Sequence, residues 1–157
     1  MKGKNIVSTS GSTDVRQIHD ENREYNLGMR IREAPDHMSS FMMVDTDRAD
    51  AFQMGDILVA GLVATSQNPD GYNIIRLEEL PVEPWALILR RNDPDFKKAV
   101  DDVLADLMKS GRAAEYYEKW FDNPIPPHNH NLHLPMSDAL KRVFQKPNDS
   151  SDPTDYK

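Results

Sequence analysis

Cysteine is absent from this chain, which excludes disulfide scaffolding and thiolate metal sites but leaves the compartment open. No apolar run approaches the roughly 20 residues that a membrane-crossing helix needs. A basic surplus is missing too. Lys and Arg number 19 against 26 Asp and Glu, for a net charge of −7, and no basic stripe offsets that acidity, which argues against nucleic acid as a partner. The chain contains no Walker loop, no GxGxxG, no nucleophile elbow and no HExxH, so the usual signatures of nucleotide, acyl-transfer and zinc-protease chemistry are lacking. No secretory leader is expected either, because Met1-Lys2-Gly3-Lys4 leads straight into an apolar run. The expectation is a cytoplasmic protein or a piece of a longer one.

What is present organises itself around Thr9-Ser10-Gly11-Ser12-Thr13. The apolar run before it predicts a strand over 4–8, and the spacing of Val15, Ile18 and Tyr25 predicts a helix over 12–25. A strand, a tight turn and a helix start present backbone N–H groups that have no intrahelical partner and a positive dipole end. Gly11 lets the backbone approach a ligand, and Ser12 and Thr13 add hydroxyls, so the turn suits a carboxylate or phosphate. The alternative is that Ser12 or Thr13 simply caps the helix. Both readings stay open at this level.

The pattern then repeats. Met29-Arg30-Ile31-Arg32 alternates as a second strand, and Asp36 reads as the N-cap of a helix carrying Phe41 and Val44. Residues 49–54 read as a third strand, and Gly55-Asp56 turns into a third helix over 57–65. Three βα units in about seventy residues predict right-handed crossovers and a mainly parallel α/β sheet. Open sheets of this kind bind ligands at the carboxyl ends of their strands. The three loops at that edge hold Gly11-Ser12-Thr13, His37 and Asp56: N–H groups for an anion, a titratable ring, and a carboxylate. Taken singly, Asp56 is a helix-opening residue and His37 a solvated one. Together they point to a small zwitterionic ligand.

After the turn at 67–71, Tyr72 to Leu77 and Trp85 to Leu89 read as extended runs. Asn92-Asp93-Pro94 opens a helix with an apolar stripe of Phe96, Val100, Val103, Leu104 and Leu107, ended by Gly111. A following helix is expected to bury Ala113, Tyr116, Tyr117 and Trp120. Past the helix-breaking Asn123-Pro124-Ile125-Pro126-Pro127, Met136 to Phe144 predicts a short helix, and 147–157 a disordered tail. His128, His130 and His133 lack the helical pairing and carboxylate support of a metal centre. No metal and no cofactor are expected.

Several stretches carry a resemblance: the Thr9–Thr13 turn, Arg48-Ala49-Asp50-Ala51-Phe52 with Asp56 after it, and the segment from Ser110-Gly111-Arg112 to Trp120-Phe121. They resemble the periplasmic amino-acid-binding proteins of ABC importers. Asp36-His37 and Trp120-Phe121-Asp122-Asn123-Pro124-Ile125-Pro126-Pro127 are similar to the glutamate/aspartate-binding branch. The resemblance implies a type II periplasmic-binding-protein fold of two α/β lobes closing on the ligand. Residues 1–82 would be the second lobe, 83–93 the crossover strand and hinge, and 94–146 helices and tail that pack on a first lobe missing here. An engineered or truncated piece with an artificial Met1 is the corresponding expectation.

The resemblance further implies that Gly11, Ser12 and Thr13 meet ligand carboxylates, Asp56 holds the α-ammonium, and His37 meets the ligand's acidic side chain. Gly55 departs from the family pattern by leaving Asp56 without a neighbouring carboxylate. The implied function is periplasmic binding of L-glutamate or L-aspartate for delivery to a membrane permease, with no chemistry performed. The alternatives are an enzyme of the cyclohexadienyl dehydratase kind, similar in fold, and an interaction module that forms a homodimer through surfaces a missing lobe would cover.

Overall fold

The computed structural model describes residues 1–76 and 85–156. The chain divides into two compact units, Met1–Ile74 and Ile75–Lys157. The expected boundary near residue 82, and the last residue of the run predicted over 72–77, lie outside the described residues.

The first unit alternates strand and helix: β1 (Asn5–Thr9), α1 (Thr13–Glu24), β2 (Arg30–Ala34), α2 (His37–Asp45), β3 (Ala51–Phe52) and α3 (Asp56–Ala64), then a 3-10 turn at Pro69–Gly71. Its sheet has the order β2-β1-β3, with β1 parallel to both neighbours in the registers Thr9↔Ala34 and Val7↔Phe52. The central strand is buried on both faces, so it reads as a continuous Ile-Val-Ser-Thr run rather than as an alternation. The chain leaves β1 toward β2 and then returns past β1 to β3. With right-handed crossovers, that reversal puts α1 and α2 on opposite faces. Val7 packs with Ala34 and Ala49 against Met43, Val44 and Phe52, on the α2 side. Strand pleating directs Thr9 to the same side.

The predicted third strand shrinks to two residues, although its ladder runs on through Asp50 N–H to the Asn5 carbonyl (2.8 Å) and Gln53 N–H to the Val7 carbonyl (3.0 Å). Residues 72–76 form no strand. The Tyr72 side chain docks on α2 instead: its hydroxyl donates to Asp45, and its ring lies 5.0 Å from that of Phe41.

The second unit holds α4 (Pro94–Lys109), α5 (Arg112–Tyr117) running into a π turn (Glu118–Asp122), and α6 (Asp138–Gln145). Asp93 caps α4 through Phe96 N–H, and Ser137 caps α6 through Leu140 N–H, both at 3.2 Å. Gly111 separates α4 from α5 with φ +86°, a conformation that favours glycine. Three expectations need correction here. Trp85 to Leu89 is irregular, with Trp85, Leu87 and Ile88 exposed, because an extended run without a neighbouring strand has no ladder to join. Tyr116 and Trp120 are exposed, and the ring pair that packs is Tyr117–Phe121, at 4.7 Å. Tyr117 and Phe121, four residues apart, share one helical face, and Tyr116 and Trp120 share the neighbouring one. Residues 147–156, expected to be disordered, include a 3-10 turn at Pro153–Tyr156 in which the Tyr156 hydroxyl donates to the Ser150 carbonyl at 2.7 Å.

One pH dependence follows from the first unit. Asp50 accepts from Asn5 N–H (2.7 Å) and Lys4 Nζ (3.2 Å), and the Asn5 backbone bond chiefly holds its carboxyl below the ordinary value of 3.8. Asp36 is lowered in the same sense, first by Ser39 N–H. A carboxyl whose folded pKa is depressed stabilises the fold above its unfolded pKa, and that stabilisation is lost as pH falls through the folded value. The melting temperature of the chain is therefore expected to be flat near neutrality and to drop below about pH 4. Asp50→Asn should flatten that acid limb in scanning calorimetry; an unchanged limb would remove Asp50 from the account.

Candidate functional site

All strands of the sheet point the same way, so each strand–helix loop emerges at one edge. Ser10-Gly11-Ser12 follows β1, Pro35-Asp36 follows β2, and Gln53 to Gly55 follows β3. In a 2-1-3 order the chain reverses direction between β1 and β3, and such a switch point opens a crevice at the carboxyl ends of the strands. Five residues singled out from the sequence stand at this edge: Gly11, Ser12, Thr13, His37 and Asp56.

Gly11 has φ +76°, and open space surrounds the position a Cβ would take. Its glycine is needed for backbone conformation and leaves room above the turn. Ser12 is the N-cap of α1: its Oγ accepts from Val15 N–H at 3.3 Å, and its own N–H donates to the Thr9 carbonyl at 3.2 Å. The capping reading is thus realised, and Ser12 retains its hydroxyl proton for donation. Thr13 opens the helix and is exposed.

Asp36 caps α2 through Ser39 N–H (2.7 Å) and Ser39 Oγ (3.0 Å). The cap sets His37 at the first helical position, half-buried, with Nδ1 2.7 Å from Thr9 Oγ1. Thr9 Oγ1 also lies 3.1 Å from Ser40 Oγ. The loops after β1 and β2 are joined by side chains. Asp56 is the first residue of α3, exposed, with Oδ1 accepting from Ile57 N–H at 2.8 Å. A carboxylate there complements the positive helix end.

The sequence reading missed Ser40 and Glu33. Ser40 is fully buried and lies three residues after His37, so helical spacing alone places it on the same face. Glu33 accepts from Ser10 Oγ at 2.8 Å and anchors the turn from the β2 side. A groove of about 400 Å³ lined by Glu33, Met38, Met42 and Arg48 lies along α2 and includes none of the five site residues. Among the described residues the edge is therefore a wall carrying donors, a ring and a carboxylate, which can orient a small zwitterion from one side. Among the described residues no group of three His, Asp or Glu is placed to hold a metal; the rings of His128 and His130 are 5.7 Å apart. No described helix is long and apolar enough to cross a membrane.

A parallel sheet of order β2-β1-β3 with its strand–helix loops gathered at one edge fits the α/β class that binds ligands at such edges, and comparison with known families gives that class a definite form. The chain belongs to the bacterial extracellular solute-binding proteins, family 3, whose family model matches residues 3–123. It is 43% identical over 151 residues to the glutamate/aspartate import solute-binding protein of Salmonella typhimurium and 40% identical to the Escherichia coli protein of the same name. It is also 39% identical to the L-glutamate/L-aspartate-binding protein of Pseudomonas aeruginosa. Each match covers 96% of this chain and 50% of the relative, so the chain spans about half the length of the curated relatives it matches. All three relatives are named as binding proteins.

Proposed function

We propose that this chain is the second lobe, with C-terminal helices, of a periplasmic solute-binding component that holds L-glutamate or L-aspartate and delivers it to an ABC-importer permease. The observation that carries the proposal is the convergence of the Gly11–Thr13 helix start, His37 and Asp56 on one sheet edge, in a chain whose relatives are named for these amino acids. In this reading the α1 N–H groups and the hydroxyls of Ser12 and Thr13 take a ligand carboxylate. Asp56 takes the α-ammonium through a charge-assisted hydrogen bond, and His37 meets the acidic side chain. The ligand is bound and released unchanged.

Residues 94–146 are read as packing on a first lobe supplied by the rest of a full-length protein. Phe96, Val103 and Leu104 on α4 and Tyr116 and Trp120 beyond it are exposed in this chain, and exposed large apolar side chains of this kind are candidates for a partner surface. The same side chains are where a chain on its own would pair with a second copy.

The test is an amide NMR titration with L-glutamate, using D-glutamate and L-glutamine as controls. One wall leaves a ligand largely wet, so the expected affinity is about millimolar or weaker, worth about 4 kcal/mol at most. Saturable, stereoselective shifts are expected at Gly11, Ser12, Thr13, His37 and Asp56, and Asp56→Ala should abolish them. Flat spectra up to about 50 mM, or shifts at unrelated positions, would overturn the site.

A further inference from the structure

His37 does not stand alone at the edge. It ends a chain of three contacts: Ser40 Oγ to the Asp36 carbonyl (3.0 Å), Ser40 Oγ to Thr9 Oγ1 (3.1 Å), and Thr9 Oγ1 to His37 Nδ1 (2.7 Å). The direction of each bond follows from counting protons. A carbonyl only accepts, so the single hydroxyl proton of Ser40 goes to Asp36. Ser40 Oγ then has lone pairs to offer, and the Thr9 proton goes to it. Thr9 Oγ1 is left as an acceptor, and His37 Nδ1 must carry the hydrogen. Run the other way, Ser40 donates to Thr9 and Thr9 to a bare Nδ1. That order makes two hydrogen bonds where the first makes three. The Asp36 carbonyl accepts from Ser40 N–H at 3.0 Å in either order, so the second order gives up only the additional bond from the buried Ser40 hydroxyl, and one missing bond shifts such a balance by roughly fivefold.

We propose that Thr9 and Ser40 are positioning residues that lock His37 as the Nδ1–H tautomer, so that this histidine holds an acidic ligand group only in its charged form. With Nδ1–H committed to Thr9, a neutral His37 presents a lone pair at Nε2, which repels a carboxylate. Nε2 has no hydrogen-bond partner among the described residues. A proton added there turns it into a donor while the Thr9 bond stays as it was, so charging the ring requires no rearrangement of the relay. Of the strands that pack on α2, β1 and β3 carry no ionisable side chain, while β2 carries Arg30, Arg32 and Glu33. Asp36 is the carboxylate on the helix's own amino end, and its charge interacts with His37.

The ligand consequence rests on the function proposed above: uptake of an acidic amino acid carries one proton with it. Binding that needs the extra proton weakens as pH rises.

The tautomer is read without ligand, from ring ¹⁵N spectra of the whole chain at a pH where His37 is neutral, with His37→Gln to assign its signals. The Nδ1–H form is expected, against the Nε2–H preference of an unconstrained histidine. Thr9→Val, which keeps the shape and removes the hydroxyl, should return the ring to Nε2–H. Ser40→Ala should do so as well, although Ser40 never touches the ring, because the Thr9 proton then has only Nδ1 to go to. An Nε2–H ring in the unsubstituted chain overturns the proposal whether or not the variants fold, as does an unchanged tautomer in a folded Ser40→Ala. L-Glutamate titrations at pH 6 and pH 8 form the second arm. A Kd that weakens by roughly tenfold or more supports the charged-only grip, and a pH-independent Kd overturns it. A locked Nδ1–H ring with no glutamate response at either pH overturns the proposed function and the ligand clause with it, and leaves the lock standing.

Discussion

Val7→Asp is expected to abolish cooperative unfolding of the first unit, leaving no folded β1–α2 core at 25 °C. Val7 is fully buried in the central strand, flanked by β2 and β3 and packed against Met43, Val44 and Phe52. An unpaired carboxylate at that position must be dehydrated or protonated, and either route costs several kcal/mol. That is a large part of the about 5–15 kcal/mol by which a domain is stable, and a unit of about seventy residues stands at the low end of that range. Ser8→Ala is the contrasting case on the same strand. It removes only the 2.9 Å bond from Ser8 Oγ to the Gln53 carbonyl, worth about 1 kcal/mol. Circular dichroism melts should show Ser8→Ala with a lowered midpoint and a preserved transition, and Val7→Asp with none. A cooperative Val7→Asp melt would mean that the sheet is not the core of this unit.

The parts of this architecture that local chemistry specifies were legible in the sequence. Ser12, Asp36, Asp93 and Ser137 each precede a helix and accept the backbone N–H three residues on, as short polar side chains do at such positions. The βα repeat was legible through its periods, and the site edge followed from parallel topology. What was not legible depends on pairing or phase. Trp85 to Leu89 is apolar enough for a strand, but a strand exists only where a neighbour offers a ladder, and a single sequence does not say whether one is there. Tyr116 and Trp120 were placed inward by an uninterrupted 3.6-residue period. Tyr117 was placed inward as well, and the face it shares with Phe121, four residues on, is the one that packs, whereas Tyr116 and Trp120 share the neighbouring, exposed face. Ser40 escaped notice because a serine inside a helix has no signature of its own. Its role depends on Thr9, 31 residues earlier, and on the face that strand pleating gives that threonine.

A chimera that joins to this chain the half of the Salmonella typhimurium relative that it does not cover is expected to bind L-glutamate about a thousandfold more tightly than the chain alone. The gain amounts to about 4 kcal/mol, from millimolar to micromolar. The argument is one of burial. Small-ligand sites enclose about 70–90% of the ligand surface, whereas the edge carrying Gly11, Ser12, Thr13, His37 and Asp56 is one open wall. In the proposed site a second wall would exclude water from an Asp56–ammonium and a His37–carboxylate contact and so strengthen both. It also supplies further polar partners that a zwitterion with three charged groups requires. In the chimera, Asp56→Asn should weaken binding by about 10- to 100-fold, the range of one charge-assisted hydrogen bond. The backbone amides of α4, which carries the exposed Phe96, Val103 and Leu104, should become more protected in hydrogen–deuterium exchange. Isothermal titration calorimetry measures the affinity directly. A folded chimera that binds L-glutamate no better than the chain alone would show that 94–146 is not the half-interface of a two-lobed receptor, whereas tight binding indifferent to Asp56→Asn would keep the receptor and relocate its ammonium site.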